Sequence, residues 1–197
     1  MKYNYKKIKD EVEKLVKQAC YAKGNYYSET VWEYHILLVV NFCLILGKKL
    51  KADLEVLELA AFLHDYGSFF GKQSYKQHHI NSAEAAEKIL SKLNFPVDKI
   101  KNVKGCIASH RASIASKKTT IEAKILASAD AMGHISELAD MFYLAYGVHK
   151  YKTEEGAKWL KRKLERSWKK IIPEGKKMIG EDYEIAMKVL DKVISKQ

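Results

Sequence analysis

Apolar residues recur at helical spacing along most of this chain. Over residues 2–23 they fall three and four positions apart among lysines and acidic residues, which predicts an amphipathic helix that ends at Gly24. Similar patterns continue towards the carboxyl end, whereas no segment alternates with the two-residue period of a half-buried strand. The pattern therefore predicts an all-α protein, a compact bundle of about eight helices without internal repeats.

Capping residues and glycines predict where the other helices begin and end. Thr30 and Thr119 each start a capping-box sequence; the first opens a helix to Leu46 and the second opens a long helix to about Tyr146. The segment 111–118 is small and polar, and we expect it to form a loop. Further helix starts are predicted near Asp53, Asn81, Pro96, Thr153 and Asp182.

Length and composition narrow the class of protein. A chain of 197 residues with 47% hydrophobic content is expected to form one domain with a sizeable core. Its three cysteines lie far apart in the sequence, which is typical of buried thiols in a reducing compartment. No signal-peptide pattern opens the sequence, and the longest apolar run, Ile36 to Leu46, is too short to span a membrane. We therefore expect a cytoplasmic protein with no membrane partner.

The net charge of +11 raises the question of a nucleic-acid partner. Residues 1–27 carry 7 basic and 3 acidic residues, residues 28–145 carry 14 and 13, and residues 146–197 carry 14 and 8, so the excess lies in the flanks. Only 3 of the 35 basic residues are arginine, whereas base-reading surfaces rely on arginine forks. We therefore favour solvated, lysine-rich helices over a nucleic-acid footprint. One of them, residues 158–170, is expected to pack through Trp159, Leu160, Leu164 and Trp168.

Four residues with metal-ligand side chains lie on apolar segments. His64 and Asp65 end the run LAAFLHD, shortly before Gly67. His35 lies in WEYHILLVV, and Asp130 lies in ILASADAM. Taken singly, His35 is also compatible with a hydrogen-bonded core histidine, and Asp130 with a cap or an ion pair. Because a buried carboxylate needs a cation or strong donors, the set of two imidazoles and two carboxylates indicates a site for a borderline divalent metal.

In chain order these residues form the pattern H…HD…D, and the sequence resembles the HD superfamily of metal-dependent phosphohydrolases over about residues 28–146. The resemblance implies an all-α fold in which these four side chains bind one metal ion. It also implies that residues 1–197 form a single HD-type domain, with flanking helices on either side of the motif-bearing core.

Two more histidines match a fuller version of the family pattern. His78 in HHINSAEAA resembles an H-x-x-x-[GS]-A element, and His110 in CIASH resembles a later I-x-x-H element. The resemblance implies that such histidines hold a second ion in binuclear members and that this region contacts the phosphate in mononuclear ones. We favour His78 over His79 because of its offset from Ser82 and Ala83. One or two divalent ions per chain are therefore expected, from among Mn, Fe, Co, Ni, Zn and Mg.

Basic residues near these histidines are candidates for phosphate binding. Lys72 lies where several relatives keep a lysine after the dipeptide, and Arg111 directly follows His110. Ser68 occupies a position that is acidic in some mononuclear nucleotidases, so their catalytic carboxylate has no counterpart here. The candidate catalytic residues are Asp65, which would bind metal and orient water, together with Lys72 and Arg111.

The resemblance implies hydrolysis of a phosphoester or phosphoanhydride bond in a small phosphorylated substrate, with a nucleotide favoured. His134, one turn after Asp130, is either a residue that supports the ligands or a packing residue. Two other functions stay open: a basic helical module that binds nucleic acid through its flanks, and a metal-binding sensor domain without turnover. Nucleic acid is the less favoured partner, and the oligomeric state is open.

Overall fold

The structure, a computed structural model, describes residues 3–25, 27, 30–70, 77–111 and 118–195. These residues form helices, turns and loops without a strand, which confirms the all-α prediction. Two π-helical segments, Trp32–Ile36 and Tyr143–Val148, and a short 3-10 turn, Tyr66–Ser68, occur between the longer helices. The nine α-helices of the described residues are α1 (Tyr5–Cys20), α2 (Leu37–Leu50), α3 (Leu54–Leu63), α4 (His78–Lys92), α5 (Val97–Ser109), α6 (Ile121–Ser136), α7 (Leu138–Phe142), α8 (Thr153–Lys170) and α9 (Pro173–Ile194).

Three helices begin where a side chain accepts hydrogen bonds from backbone amides that the first helical turn leaves free: Asn4 caps α1, Asp53 caps α3 and Thr120 caps α6. The cap at Asp53 confirms the prediction. The capping box predicted from Thr119 is wrong by one residue, because Thr120 is the cap. The Glu122 carboxylate also accepts a hydrogen bond from the Asp53 amide at 3.0 Å, which links the start of α6 to the start of α3.

The capping box predicted at Thr30 is also wrong. Val31 occupies the N-cap position before Trp32, with helical dihedral angles and no side-chain capping bond. The Thr30 side chain is hydrogen-bonded to Asp140, and this bond lowers the pKa of a carboxyl group that burial otherwise raises. The Thr30 side chain therefore bonds to Asp140, which is distant in the sequence, and not to the backbone amides of the helix that follows it.

The carboxyl-terminal helices differ from the prediction in their boundaries. The long helix expected to reach Tyr146 ends at Ser136, because Glu137 leaves the helical region with φ −104° and ψ 63°. Asp182 does not start a helix, since α9 begins at Pro173 and continues past it. Instead, the Asp182 carboxylate accepts a hydrogen bond from the Ser136 hydroxyl at 2.9 Å, which ties α9 to the end of α6.

Two other predicted starts are close to the observed ones. Helix α8 begins at Thr153, but the N-cap position is Lys152, whose side chain makes no capping hydrogen bond. Helix α4 begins at His78, three residues before the predicted start at Asn81, and this places His78 in a first helical turn.

Helix α6 lies at the centre of the core. Twelve of its 16 residues are buried, and α2, α3, α5, α8 and α9 all pack against it. Leu160 and Leu164 of α8 are fully buried and Trp159 and Trp168 partly buried, which confirms the predicted packing of that helix. The three cysteines are buried free thiols, as predicted. None of the described helices is long and apolar enough to cross a membrane.

Candidate metal centre

The four ligand-type residues of the H…HD…D pattern meet in the core. His35 lies on the first π-helical segment, His64 and Asp65 follow the end of α3, and Asp130 lies in the middle of α6. His35 Nε2 lies 3.2 Å from His64 Nε2, 3.7 Å from Asp65 Oδ2 and 3.6 Å from Asp130 Oδ1. All four side chains are buried. Donors that share one ion through bonds of about 2.0–2.2 Å lie within about 5 Å of each other. The three distances from His35 Nε2 meet that condition; His35, His64 and Asp65 form one group within 4.8 Å, and Asp130 joins His35 in a second group with His134.

Local contacts orient the two histidines of this group. His64 Nδ1 lies 2.7 Å from the carbonyl oxygen of Ala61. Because a carbonyl only accepts hydrogen bonds, Nδ1 carries the proton and Nε2 keeps its lone pair towards the cluster. Gly133 on α6 leaves room for the His35 ring, since a Cβ atom there would lie 3.3 Å from His35 Nδ1. Local contacts thus prepare His64 for binding through Nε2, and Gly133 provides the space that the His35 ring occupies.

Asp65 presents its other oxygen to a second pair of histidines. Its Oδ1 lies 3.3 Å from His78 Nε2 and 3.7 Å from His110 Nε2, and these two nitrogens are 3.4 Å apart. His110 Nδ1 lies 2.6 Å from the Ile107 carbonyl, which orients its Nε2 in the same way as for His64. His79 belongs to no group of ligand atoms in the described part of the chain. The structure therefore brings His78, and not its neighbour, to Asp65.

A glycine allows α4 to approach the end of α3. The Gly67 amide donates a hydrogen bond to the Ser82 hydroxyl at 2.8 Å. A Cβ atom at Gly67 would lie 2.8 Å from the Ser82 backbone nitrogen, which is closer than real contacts of this kind. The glycine after the dipeptide thus serves close packing, and this packing places His78 beside Asp65.

Three further polar residues adjoin the cluster. His134 Nε2 lies 3.6 Å from Asp130 Oδ1. Lys170 donates a 2.6 Å hydrogen bond to Asp130 Oδ2, and Lys163 Nζ lies 3.4 Å from His134 Nε2. The one-turn spacing from Asp130 is a weak sequence signal for His134. Nothing local signals the two lysines, because their contacts depend on α8 folding back over α6.

The surroundings set the charge of the cluster. Burial by itself raises the pKa of Asp65, but His64 and the other nearby histidines hold that pKa well below its usual range. Asp130 shows the same balance, with Lys170 as the main charge that lowers its pKa. The pKa of His35 is lowered to about 4, mainly by burial and also by the neighbouring His64, while Asp65 and Asp130 oppose the shift. The carboxylates are thus charged and His35 is neutral near pH 7, which are the forms that bind metal.

The donor set fits a divalent metal. Imidazole nitrogens and carboxylate oxygens together suit borderline divalent ions, so these clusters are able to hold a metal ion. Near the ligand atoms of His35, Asp130 and His134, the ammonium groups of Lys163 and Lys170 oppose a cation. Among the described residues the ligand atoms form three groups, each within 4.8 Å: His35, His64 and Asp65; Asp65, His78 and His110; and His35, Asp130 and His134.

An open cleft leads to the cluster. Arg111 lines this cleft together with Asp65, so two of the three predicted catalytic residues adjoin the same space. Lys72 lies outside the described residues, and its predicted role stays a prediction.

Comparisons with known proteins agree with the motif. A family model described as HD domain matches residues 32–135, a segment that contains the six predicted ligands. Bacillus subtilis YpgQ has a TM-score of 0.72 at 16% identity, with 96% of this chain and 95% of that chain covered. A second structure of YpgQ, in complex with ADP, has a TM-score of 0.69 at 18% identity, with 94% and 95% covered. A predicted HD superfamily hydrolase from an uncultured Thermotogales bacterium has a TM-score of 0.55 at 24% identity, with 79% and 84% covered. No curated protein matches the sequence. At these identities the structural likeness shows a common fold.

Proposed function

Because the chain belongs to the HD domain family, whose members are generally metal-dependent hydrolases, we propose that it hydrolyses a phosphoester or phosphoanhydride bond in a nucleotide. The observation that carries the proposal is the convergence of three ligand atoms within 3.7 Å of His35 Nε2. The nucleotide is supported by the similarly folded YpgQ, one structure of which is in complex with ADP.

In this proposal the two oxygens of Asp65 serve two ligand groups. His35, His64, Asp130 and Asp65 would hold one ion. Oδ1 of Asp65, with the second histidine pair, either holds a second ion or faces the phosphate of the substrate. The distances of 3.3 and 3.7 Å from Oδ1 to the second pair, together with burial of both rings, support the two-ion arrangement.

A divalent ion, when bound, supplies Lewis acidity, which lowers the pKa of water and offsets the negative charge of a phosphoryl group. The protein supplies position. Lys170 fixes Asp130 by a hydrogen bond and also donates to the His110 carbonyl at 3.0 Å, so it joins both ligand groups. Arg111 at the cleft wall is placed to bind phosphoryl oxygens through its planar donors.

The test is turnover with defined metals. Purified protein is stripped with a chelator, reloaded separately with Mn, Co, Ni, Zn or Mg, and supplied with nucleoside mono-, di- and triphosphates and simple phosphomonoesters. We expect release of phosphate or pyrophosphate that requires metal and is absent from the Asp65→Ala variant. Asp98→Ala, at an exposed position on α5, is the matched control and should keep full activity.

Two results would replace the proposal. Bound metal without release of phosphate from any substrate indicates a sensor domain. Binding to nucleic acid that depends steeply on salt and is unaffected by the chelator indicates a nucleic-acid-binding module.

A further inference from the structure

One face of α8 lines the cleft beside the metal-ligand cluster. Lys163, Arg166 and Lys170 are spaced three and four positions apart, so successive helical turns bring them to the same side. All three line the cleft. Because the family match ends at residue 135, this basic face lies outside the matched segment.

The basic face forms a row along α8 beside the cluster. Lys170 contacts Asp130, and Lys163 contacts His134, which lies one turn further along α6. The later residue of α8 thus contacts the earlier residue of α6, and the earlier residue of α8 contacts the later one. This order of contacts means that α8 runs antiparallel to α6. With a rise of about 1.5 Å per residue, the row from Lys170 to Lys163 is about 10 Å long. That length exceeds the size of one phosphate group.

Two members of the row, Lys163 and Arg166, form no salt bridge with a carboxylate of the described residues. Lys170 is paired with Asp130, whereas no salt bridge to Lys163 or Arg166 occurs in the part of the chain that the structure describes. The partner of Lys163 is a ring nitrogen of His134. The pKa of Lys163 is lowered to about 8, mainly by burial and also by Lys170, while Asp130 opposes the shift. A bound anion would therefore stabilise the buried ammonium group of Lys163.

Positively charged side chains outnumber carboxylates among the described residues that line the cleft. Among the described residues its lining has four lysine or arginine side chains and three carboxylates. Two of those carboxylates, Asp65 and Asp130, belong to the metal-ligand cluster. The remaining cleft therefore favours a ligand with several negative charges.

From this geometry we propose that Lys163 and Arg166 bind the non-reacting phosphates of a substrate that carries two or more phosphates in series. The reacting phosphate then lies at the metal-ligand cluster near Lys170, and the next ones lie along α8, where the planar donors of Arg166 match phosphate oxygens. The substrate class is a nucleoside di- or triphosphate, and a monoester lacks the groups that the row binds. This inference rests on the phosphohydrolase function proposed above.

The first experiment compares charge-matched variants of one helix. Lys163→Gln and Arg166→Gln each remove one positive charge from the row. Lys169→Gln and Arg162→Gln remove one charge from exposed positions of α8 that do not line the cleft. We expect kcat/KM for a nucleoside triphosphate to fall roughly 10- to 100-fold in each row variant, the usual loss for a charge-assisted hydrogen bond, and mainly through KM. The two control variants should keep wild-type values for both the triphosphate and a monoester.

The second experiment measures binding without turnover. Full-length wild-type protein and the Lys163→Gln/Arg166→Gln double variant are titrated by calorimetry with inorganic triphosphate and with orthophosphate. We expect the wild type to prefer the triphosphate and the double variant to lose that preference. Circular dichroism checks that the variants are folded. If Lys163→Gln unfolds, the Arg166→Gln single variant, at an exposed position, is titrated in its place.

The outcomes separate the two proposals. If no metal supports turnover, but the wild type prefers triphosphate and the row variants do not, the hydrolase proposal fails and the phosphate row stands. If turnover is metal-dependent, but the row variants keep the wild-type preference for triphosphate and its kcat/KM, the inference about α8 is wrong. Equal affinity of the wild type for triphosphate and orthophosphate also overturns it.

Discussion

Asp65 differs from the other candidate ligands because its two oxygens face two different pairs of histidines. Oδ2 lies 3.6 Å from His64 Nε2 and 3.7 Å from His35 Nε2, whereas Oδ1 lies 3.3 Å from His78 Nε2. Loss of this one carboxylate therefore affects both ligand groups. Loss of any single histidine affects fewer contacts.

We expect Asp65→Ala to abolish turnover with little damage to the fold. The change removes a ligand and a charge worth several kcal/mol in the transition state, so kcat should fall roughly 1,000-fold or more. Steady-state kinetics measure the loss, and circular dichroism and the urea midpoint measure the fold. A variant with wild-type turnover would show that the site has been assigned to the wrong residues.

His110 tests the second ligand group. Its ring reaches Asp65 Oδ1, whereas the buried ring of His79 belongs to no ligand group in the described residues. Metal analysis of the wild type should give two ions per chain, with one ion in His110→Ala and two in the His79→Ala control. One ion in both wild type and His110→Ala, with a reduced rate in the variant, would assign His110 to the phosphate.

A double variant gives the sharpest negative result for this pair of histidines. His78 and His110 together account for the second group of ligand atoms around Asp65. If alanine at both positions left metal content, substrate affinity and turnover at wild-type values, both histidines would be packing residues. Only His35, His64, Asp65 and Asp130 would then carry function.

Helix α6 is the central element of the structure, because it carries Asp130 and lies in the core. Its first turn is fixed by Thr120, whose hydroxyl accepts from the Ala123 amide at 3.1 Å and donates to Asn102 at 3.0 Å. This side chain therefore connects the start of α6 with α5. Both helices supply residues to the candidate site.

Thr120→Ala should lower the free energy of unfolding by about 1–2 kcal/mol, because a helix cap and a contact to α5 are lost. The measurement is urea unfolding, in which the midpoint should fall and the slope should stay constant. Thr119→Ala is the matched control, because Thr119 is exposed and adjacent, and its midpoint should not change. A loss confined to Thr119→Ala would restore the capping box that the sequence pattern favours.

In the molecule as a whole, the candidate ligands join five helical elements. They come from the first π-helical segment, the end of α3, the start of α4, the end of α5 and the middle of α6. An ion that binds them holds these elements together, and the unfolded chain offers no such arrangement. Metal binding should therefore stabilise the folded state.

Free metal at 100 times its Kd should stabilise the chelator-treated protein by about 2.7 kcal/mol. For a chain of this size the expected rise in Tm is about 5–10 °C. Differential scanning calorimetry with and without metal measures the rise, and excess chelator should reverse it. If Asp65→Ala showed the same rise, the stabilising ion would be bound at another place.

The prediction of elements was most successful where the signal is local. The all-α class, the cap at Asp53 and the packed face of α8 follow from spacing and capping chemistry within a few residues. The predicted helix end near Tyr146 and the predicted helix start at Asp182 were wrong; the Asp182 carboxylate instead accepts a hydrogen bond from Ser136, a residue distant in the sequence. Propensity and capping patterns do not record such partners.

The sequence by itself determined the helical class of this protein and the order of its ligand-type residues, since both are expressed in short-range spacing. It did not determine that Asp65 divides its oxygens between two histidine pairs, nor that α8 places Lys163 and Lys170 beside His134 and Asp130. Asp130 and Lys170 are 40 residues apart, and their 2.6 Å contact exists because α8 runs antiparallel to α6. Periodicity describes which side of a helix is buried, whereas the neighbour on that side, and so the charge at the site, is decided by how the helices pack.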